Sequence, residues 1–131
     1  MSTTTCIENV KTRAKIRGIT LGQIEKAAGV SVGYLSRKRE DGDIPVSVLL
    51  KIADRLRVPI NELLTDMTDD DIFHDYVETG RYRSIGIEKT AEGFCCYILG
   101  NGRVYRTPAF GTIEEAGEHM AKCIEKGRKS I

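Results

Sequence analysis

The spacing of apolar residues changes once along this chain, and that change limits the folds open to it. Up to residue 66, apolar residues recur every three or four positions in short segments separated by Gly, Pro or polar capping residues. Beyond residue 80, short runs rich in β-branched and aromatic residues alternate with turns that contain Gly. The chain is therefore predicted to be α+β.

Residues 1–66 are predicted to form a bundle of five short helices joined by tight turns. Two Thr-x-x-Glu/Gln pairs indicate capping boxes, and Pro favours the first turn of a helix. Gly18 and Gly29 are expected to end the first two helices. The predicted helix starts, in chain order, are Thr5 with Glu8, Thr20 with Gln23, Ser31 capping a helix over 32–39, Pro45, and the segment after Pro59.

The remaining residues are predicted to form an acidic linker helix and a small domain. Residues 67–80 hold five acids and no Lys or Arg, and aspartates favour the start of a helix. In residues 81–131, Asn101-Gly102 is a strong hairpin signal, and Thr112 opens a helix that Gly127 is expected to end. The predicted order in this third segment is β-β-β-α, with the three strands forming an antiparallel sheet.

Composition excludes some classes of protein. The formal net charge is +1, with mildly basic blocks of +3 at residues 1–66 and 81–131 on either side of the acidic linker. No apolar run is long enough to span a bilayer, and the N-terminus lacks a basic-then-apolar leader. The four cysteines fit no disulfide framework or paired zinc motif. A soluble, cytoplasmic protein with reduced cysteines is expected.

The stretch AAGVSVGYLSRKRE, residues 27–40, predicts two helices joined by a sharp corner. Gly29 permits the left-handed backbone conformation that such a corner needs, and Ser31 is expected to satisfy free amides of the second helix. Leu35 is expected to anchor that helix on its inner side. Its outer side would carry polar and basic residues, and an exposed helix of this width fits the major groove of B-DNA.

The residues from Thr20 to Leu64 resemble the phage-repressor-like (XRE) helix-turn-helix family. The likeness extends over residues 6–66 and includes the Ala28-Gly29-Val30-Ser31 corner, Leu35-Ser36, and the later pattern P…LLKIADRLRV…ELL. The chain departs from the family pattern at Glu25, where the family usually has Ala facing the recognition helix. The resemblance implies a transcriptional regulator, most simply a repressor that binds palindromic double-stranded DNA as a homodimer. Residues 81–131 are the expected domain for dimerisation or for sensing a signal.

The resemblance also implies which residues touch DNA. Val32 and Gly33 would lie nearest the base edges, Ser36 and Arg37 behind them, and other basic or polar groups would contact phosphates. The predicted DNA-binding residues are Thr20, Ser31, Val32, Gly33, Tyr34, Ser36, Arg37, Lys38 and Arg39. Catalytic residues, a bound metal and a cofactor are not predicted, and an enzyme is not expected from a chain with two histidines.

Other readings remain open for the C-terminal half. The run EGFCCYI…TIEEAGEHMAKCI is similar to the strand-strand-helix half of HicB-like antitoxins, which implies a toxin-binding autorepressor. A metal or redox sensor using Cys95, Cys96 or Cys123 is a further class, and the His119–Cys123 pair lies at helical spacing. Glu115 cannot join that pair, because residues eight apart on a helix are about 12 Å apart. Arginines of the predicted sheet could contact DNA instead: Arg81, Arg83, Arg103 and Arg106.

Overall fold

A computed structural model describes residues 3–41, 43–100 and 102–129, without the side chains at 3, 4, 39–41, 128 and 129. The described chain confirms the α+β class, with α-helices, one 3₁₀ helix and a three-stranded antiparallel sheet. It divides into two compact units, Met1–Asp66 and Met67–Ile131, and the first covers the residues of the predicted helical domain. None of the described helices is long and apolar enough to cross a lipid bilayer.

The described residues of the first unit form five helical segments, as the capping pattern predicts. In chain order they are α1 (Thr3–Arg17), α2 (Leu21–Ala27), α3 (Tyr34–Asp41), α4 (Val46–Leu56) and the 3₁₀ helix Ile60–Leu64. The core of the unit is built from aliphatic side chains of every segment, including Ile7, Ile24, Leu35, Leu56 and Leu63, all fully buried. These positions follow the helical apolar spacing, so burial of one stripe per helix accounts for the bundle.

Two helix starts differ from the prediction. Helix α1 begins at Thr3, so Thr5 lies inside it and is not its cap. Helix α3 begins at Tyr34 and not at Val32, because Val32 and Gly33 form a turn in which Gly33 has a φ of 87°. The second case has a tertiary cause, the buried carboxylate of Glu25 in α2, which binds amides at the start of α3.

Where the structure describes it, the second unit is a meander of three strands covered on one face by two helices. Its elements are α5 (Asp69–Thr79), β1 (Ser84–Thr90), β2 (Gly93–Gly100), β3 (Arg103–Arg106) and α6 (Ile113–Lys129). Strand β2 is central, and Ile98 pairs with Ile85 of β1 and Tyr105 of β3. Asn101 of the predicted hairpin lies outside the described residues, and Gly102 beside it has a φ of 78°.

Helix α5 belongs to the second unit and is not a separate linker as the sequence suggested. Phe73, Tyr76 and Val77 of α5 are buried, and the helix packs on α6 and on strands β2 and β3. The ring of Tyr76 lies against the backbone of Gly100. A side chain would not fit at this position, because a Cβ atom there would be 2.5 Å from that ring. The aspartates nonetheless begin the helix, and Thr68 and Asp71 form a capping box.

Gly127 was expected to end α6, but the helix continues past it to Lys129. The residue is buried, and a Cβ atom on it would be 2.9 Å from backbone atoms of Val77 and Glu78. Gly127 is therefore a contact point where α6 crosses α5 with the two backbones in close approach. The same tight crossing holds the inward side chains of both helices near one another.

Candidate nucleic-acid interface

The conformation of the corner between α2 and α3, residues 28–33, depends on two glycines with positive φ angles, and the helix before it is fixed by a capping box at its start. Thr20 caps α2: its hydroxyl accepts from Gln23 N at 3.1 Å, and Gln23 Oε1 accepts from Thr20 N at 2.9 Å. Gly29 follows the end of α2 with a φ of 75°, and Gly33 precedes α3 with a φ of 87°. Both angles lie in the left-handed region that favours glycine, so the chain reverses direction here without strain.

Glu25 of α2 caps α3 from across the corner. Its side chain is buried, with a relative exposure of 3%, and both carboxylate oxygens accept hydrogen bonds from the start of α3. Oε1 accepts from Gly33 N at 3.1 Å, and Oε2 accepts from Leu35 N at 2.9 Å. A carboxylate at the positive end of a helix satisfies amides that have no partner within the helix. The departure from the family pattern at Glu25 thus has a structural role.

Ser31 does not cap the helix as predicted. Its backbone carbonyl accepts from Tyr34 N at 3.1 Å, but its hydroxyl accepts a hydrogen bond from Arg37. The reason is that Glu25 already occupies the amides of Gly33 and Leu35. The helix therefore starts two residues later than the Ser-based cap requires, and Val32 lies at the tip of the corner.

The outer side of the corner and of α3 is open to solvent in the first unit. Val32 is 77% exposed, the largest value among the exposed large hydrophobic side chains in the described residues. Leu35 points the other way and is completely buried in the core. Of the nine predicted DNA-binding residues, Thr20, Ser31, Val32, Ser36 and Arg37 are exposed, Gly33, Tyr34 and Lys38 are partly exposed, and Arg39 lies in α3 with its side chain outside the described part.

Arg37 lies back along the corner instead of extending freely from α3. Its Nη2 donates to the hydroxyl of Ser31 at 2.7 Å, and its Nη1 donates more weakly to the carbonyl of Val32 at 3.4 Å. A guanidinium group carries five N–H donors, so two such bonds leave donors on its outer edge. The side chain is thereby held beside Val32 with its charge exposed.

Tyr34 and Lys38 form a second pair on α3. The Lys38 ammonium group lies 5.6 Å from the centre of the Tyr34 ring, one helical turn earlier. This distance is within the range of a cation–π contact. The contact holds the charge of Lys38 along the flank of α3, whereas Arg37 lies at the corner.

The structure changes which groups near the corner are candidates for phosphate contacts. Thr20 was predicted to make one, and Lys51 was not. The backbone amide and hydroxyl of Thr20 are both used in the capping box, so these groups are already paired. Lys51, which the sequence analysis did not single out, is exposed on α4, and its Nζ would lie 3.8 Å from a Cβ atom placed on Gly29. Only the packing of α4 against the corner reveals this charge, since Lys51 lies 22 positions after Gly29 in the chain.

The sheet arginines do not form one basic surface. Arg103 is ion-paired with Asp69, with 3.7 Å between Nη2 and Oδ1, and it also lies over the Tyr105 ring. Arg106 is paired with Glu88 of β1. Residues 103 and 106 have opposite parity on β3, and side chains of opposite parity lie on opposite faces of a strand. The α2–α3 corner is therefore the better candidate surface.

Comparisons with known proteins add no information on the function of this chain. No protein-family model, no curated protein and no solved structure matches the chain.

Proposed function

We propose that this protein is a sequence-specific, double-stranded DNA-binding transcriptional regulator of the helix-turn-helix type. The corner and α3 would enter the major groove, where the four base pairs present different donor and acceptor patterns. A repressor is the simplest form of such a regulator, because occupancy of an operator by itself blocks transcription. It would act in the cytoplasm, where the four cysteines remain reduced.

The observation that carries the proposal is how the corner and α3 are fixed. Leu35 anchors the inner side of α3 in the core, and Glu25 fixes its first amides, so the outer side is presented by a rigid support. Surfaces that read base edges need such preorganisation, because a displaced helix loses its hydrogen bonds to the bases. Exposed Val32 at the tip of the corner supplies an apolar contact suited to a thymine methyl group.

Arg37 and Lys38 would have different roles. Arg37 lies beside Val32, and after exchange of its weak bond to the Val32 carbonyl it could donate two hydrogen bonds to one guanine. Lys38 lies on the flank with its charge against Tyr34, which suits a contact to a phosphate. Lys51 beside the corner would add a second phosphate contact.

A homodimer is part of the proposal. One helix in the groove covers only a few base pairs, and two copies related by a two-fold axis would read a palindrome. The second unit is the proposed contact between copies, because one face of its sheet carries partly exposed apolar side chains, among them Leu99 and Val104. Light scattering coupled to gel filtration would test the stoichiometry with and without DNA.

The decisive experiment is selection of duplexes from a random DNA pool, followed by binding curves for the selected duplex and a scrambled one. We expect wild type to enrich a palindromic motif. Arg37→Ala should lose about 1–3 kcal/mol on the selected duplex and much less on the scrambled one. Lys38→Ala should weaken both and reduce the dependence on salt by about one unit of slope.

Lys89→Ala is the charge-matched control, because Lys89 is exposed on β1 of the other unit. It should change neither curve by more than about 0.5 kcal/mol. Enrichment of no motif by wild type would overturn the proposal. Equal losses on both duplexes for Arg37→Ala would remove its role in reading bases while leaving DNA binding in place.

A further inference from the structure

Three potential metal ligands from two helices converge in the second unit. They are His74 of α5 and His119 and Cys123 of α6, and their ligand atoms all lie within 4.8 Å of one another. The two histidine Nε2 atoms are 3.1 Å apart, and Cys123 Sγ is 3.6 Å from His119 Nε2. The histidines are 45 residues apart in the chain, so the tight crossing of α5 and α6 creates the cluster.

Two of the three distances between ligand atoms match those around one tetrahedral ion, and the third pair lies within 4.8 Å. With Zn–N bonds of about 2.0–2.1 Å and Zn–S bonds of about 2.3 Å, tetrahedral angles give about 3.3 Å between two nitrogens and about 3.6 Å between nitrogen and sulfur. The observed 3.1 Å and 3.6 Å agree with these values to a few tenths of an ångström. Without an ion the same contacts are hydrogen bonds centred on His119 Nε2, and a bound metal would replace them.

The orientation of His74 is fixed from behind. Its Nδ1 lies 2.7 Å from the backbone carbonyl oxygen of Asp70, which can only accept a hydrogen bond. In the neutral ring the proton is therefore on Nδ1, and Nε2 presents its lone pair to His119 and Cys123. A carbonyl that holds the far nitrogen of a histidine is the usual outer support of a metal ligand.

The surroundings favour a cation. Asp70 Oδ1 is itself shielded from solvent and has no hydrogen-bond partner in the described part of the chain, although the side chain is 37% exposed, and it lies 3.5 Å from His74 Nδ1. An anionic oxygen in that position is stabilised by positive charge on the other side of the ring. The rings of Phe73 and Phe110 flank the two imidazoles, with ring centres 5.4 Å from His74 and 5.0 Å from His119.

We propose that His74 Nε2, His119 Nε2 and Cys123 Sγ form a binding site for one borderline divalent transition-metal ion such as Zn²⁺. Neither the resemblance of residues 6–66 nor the proposed DNA binding assigns this site. It goes beyond the sequence-based expectation, which predicts no bound metal and does not combine His74 with the His119–Cys123 pair.

The chemistry of the ligands supports this class of ion. Imidazole nitrogen suits zinc, cobalt, nickel and copper, and one thiolate favours these ions over magnesium or calcium. A cysteine binds such an ion as the thiolate. Binding therefore replaces the S–H bond by an S–metal bond and releases the proton to solvent. Three protein ligands leave a fourth position for water or another ligand.

Cobalt titration of the full-length, tag-free, reduced protein tests the site. After removal of metal by a chelator, one equivalent of Co²⁺ should give the strong visible bands of tetrahedral cobalt and a thiolate-to-cobalt charge-transfer band. One equivalent of Zn²⁺ should then displace the cobalt. Cys123→Ser should abolish the charge-transfer band, and His74→Gln or His119→Gln should weaken binding by more than about tenfold.

Cys95→Ser is the matched control, because Cys95 is also a buried free cysteine of this unit but is not in the cluster. It should keep the wild-type spectrum. The ring-nitrogen NMR shifts of wild type supply a measurement that does not depend on the folding of any variant: the Nε2 signals of both histidines should move on addition of zinc. No tetrahedral spectrum in wild type, or an unchanged spectrum in Cys123→Ser, would overturn the site. Ion binding is read directly, so the result is independent of whether the chain binds DNA.

Discussion

Replacement of Glu25 by alanine should destabilise the first unit far more than loss of a surface charge. The carboxylate is 3% exposed and accepts from Gly33 N and Leu35 N. Hydrogen bonds to a charged group contribute about 1.5–3 kcal/mol each, and an unpaired buried amide costs about 1–3 kcal/mol. Because water can enter the space that alanine leaves, we expect a total loss of about 3 kcal/mol.

Urea unfolding followed by the NMR methyl signals of Leu35 and Ile52 would measure this loss, since both residues are fully buried in the first unit. For a unit of this size, about 3 kcal/mol corresponds to a fall in Tm of roughly 12–24 °C. Glu25→Gln keeps one acceptor oxygen and should lose about half as much free energy. Asp54→Ala, an exposed acid on α4, is the control and should change stability by less than about 0.5 kcal/mol.

A loss below about 1 kcal/mol for Glu25→Ala would refute this reasoning. It would mean that the amides of Gly33 and Leu35 find other partners at little cost. The support of α3 would then come from Leu35 alone, and the rigid presentation on which the DNA proposal depends would be weaker.

Two further predictions concern the second unit. Gly127→Ala should destabilise it by about 1–3 kcal/mol, measured by urea unfolding, because the added Cβ would meet the backbone of Glu78 at 2.9 Å; an unchanged midpoint would contradict the close crossing of α5 and α6. The pKa of His119 is lowered from its ordinary value by burial and by the neighbouring His74, so the unfolded chain binds more protons than the folded unit below about pH 6.5. The contribution of His119 to the stability of the metal-free unit should therefore be complete above about pH 6.5 and be lost as the pH drops toward the lowered pKa. Urea midpoints of wild type and His119→Gln, measured at a series of pH values, should diverge as the pH falls. Midpoints that fall in parallel would contradict this prediction.

The sequence predicts the elements of this fold well where local chemistry decides them. The capping box of Thr20 and Gln23, the turn at Gly29 and the three strands after residue 80 all depend on neighbours within a few residues. Such signals are read from the order of residues because capping and turn geometry are local. The sequence also predicts which side of α3 faces outward, because Leu35 is the apolar residue expected to pack inward, and it is buried in the core.

Features that depend on distant contacts were not predictable in the same way. Ser31 is a good capping residue by type, but Glu25 reaches the same amides from another helix. Gly127 has the composition of a helix end, yet its missing side chain serves the contact with α5. The His74–His119–Cys123 cluster needs the crossing of helices that lie at the two ends of the second unit. The local signal in the sequence was the helical spacing of His119 and Cys123. The third ligand, His74, is 45 residues earlier in the chain than His119.

The inclusion of α5 in the second unit determines where the chain can be divided. A fragment that starts at Arg81 would keep the strands but lose Phe73, Tyr76 and Val77, which cover one side of β2 and β3. The uncovered apolar surface around Ile98 would then favour aggregation over folding. A division after Asp66 keeps α5 and α6, the two helices that cover the sheet, in one fragment. Proteolytic dissection or domain exchange should therefore use that position.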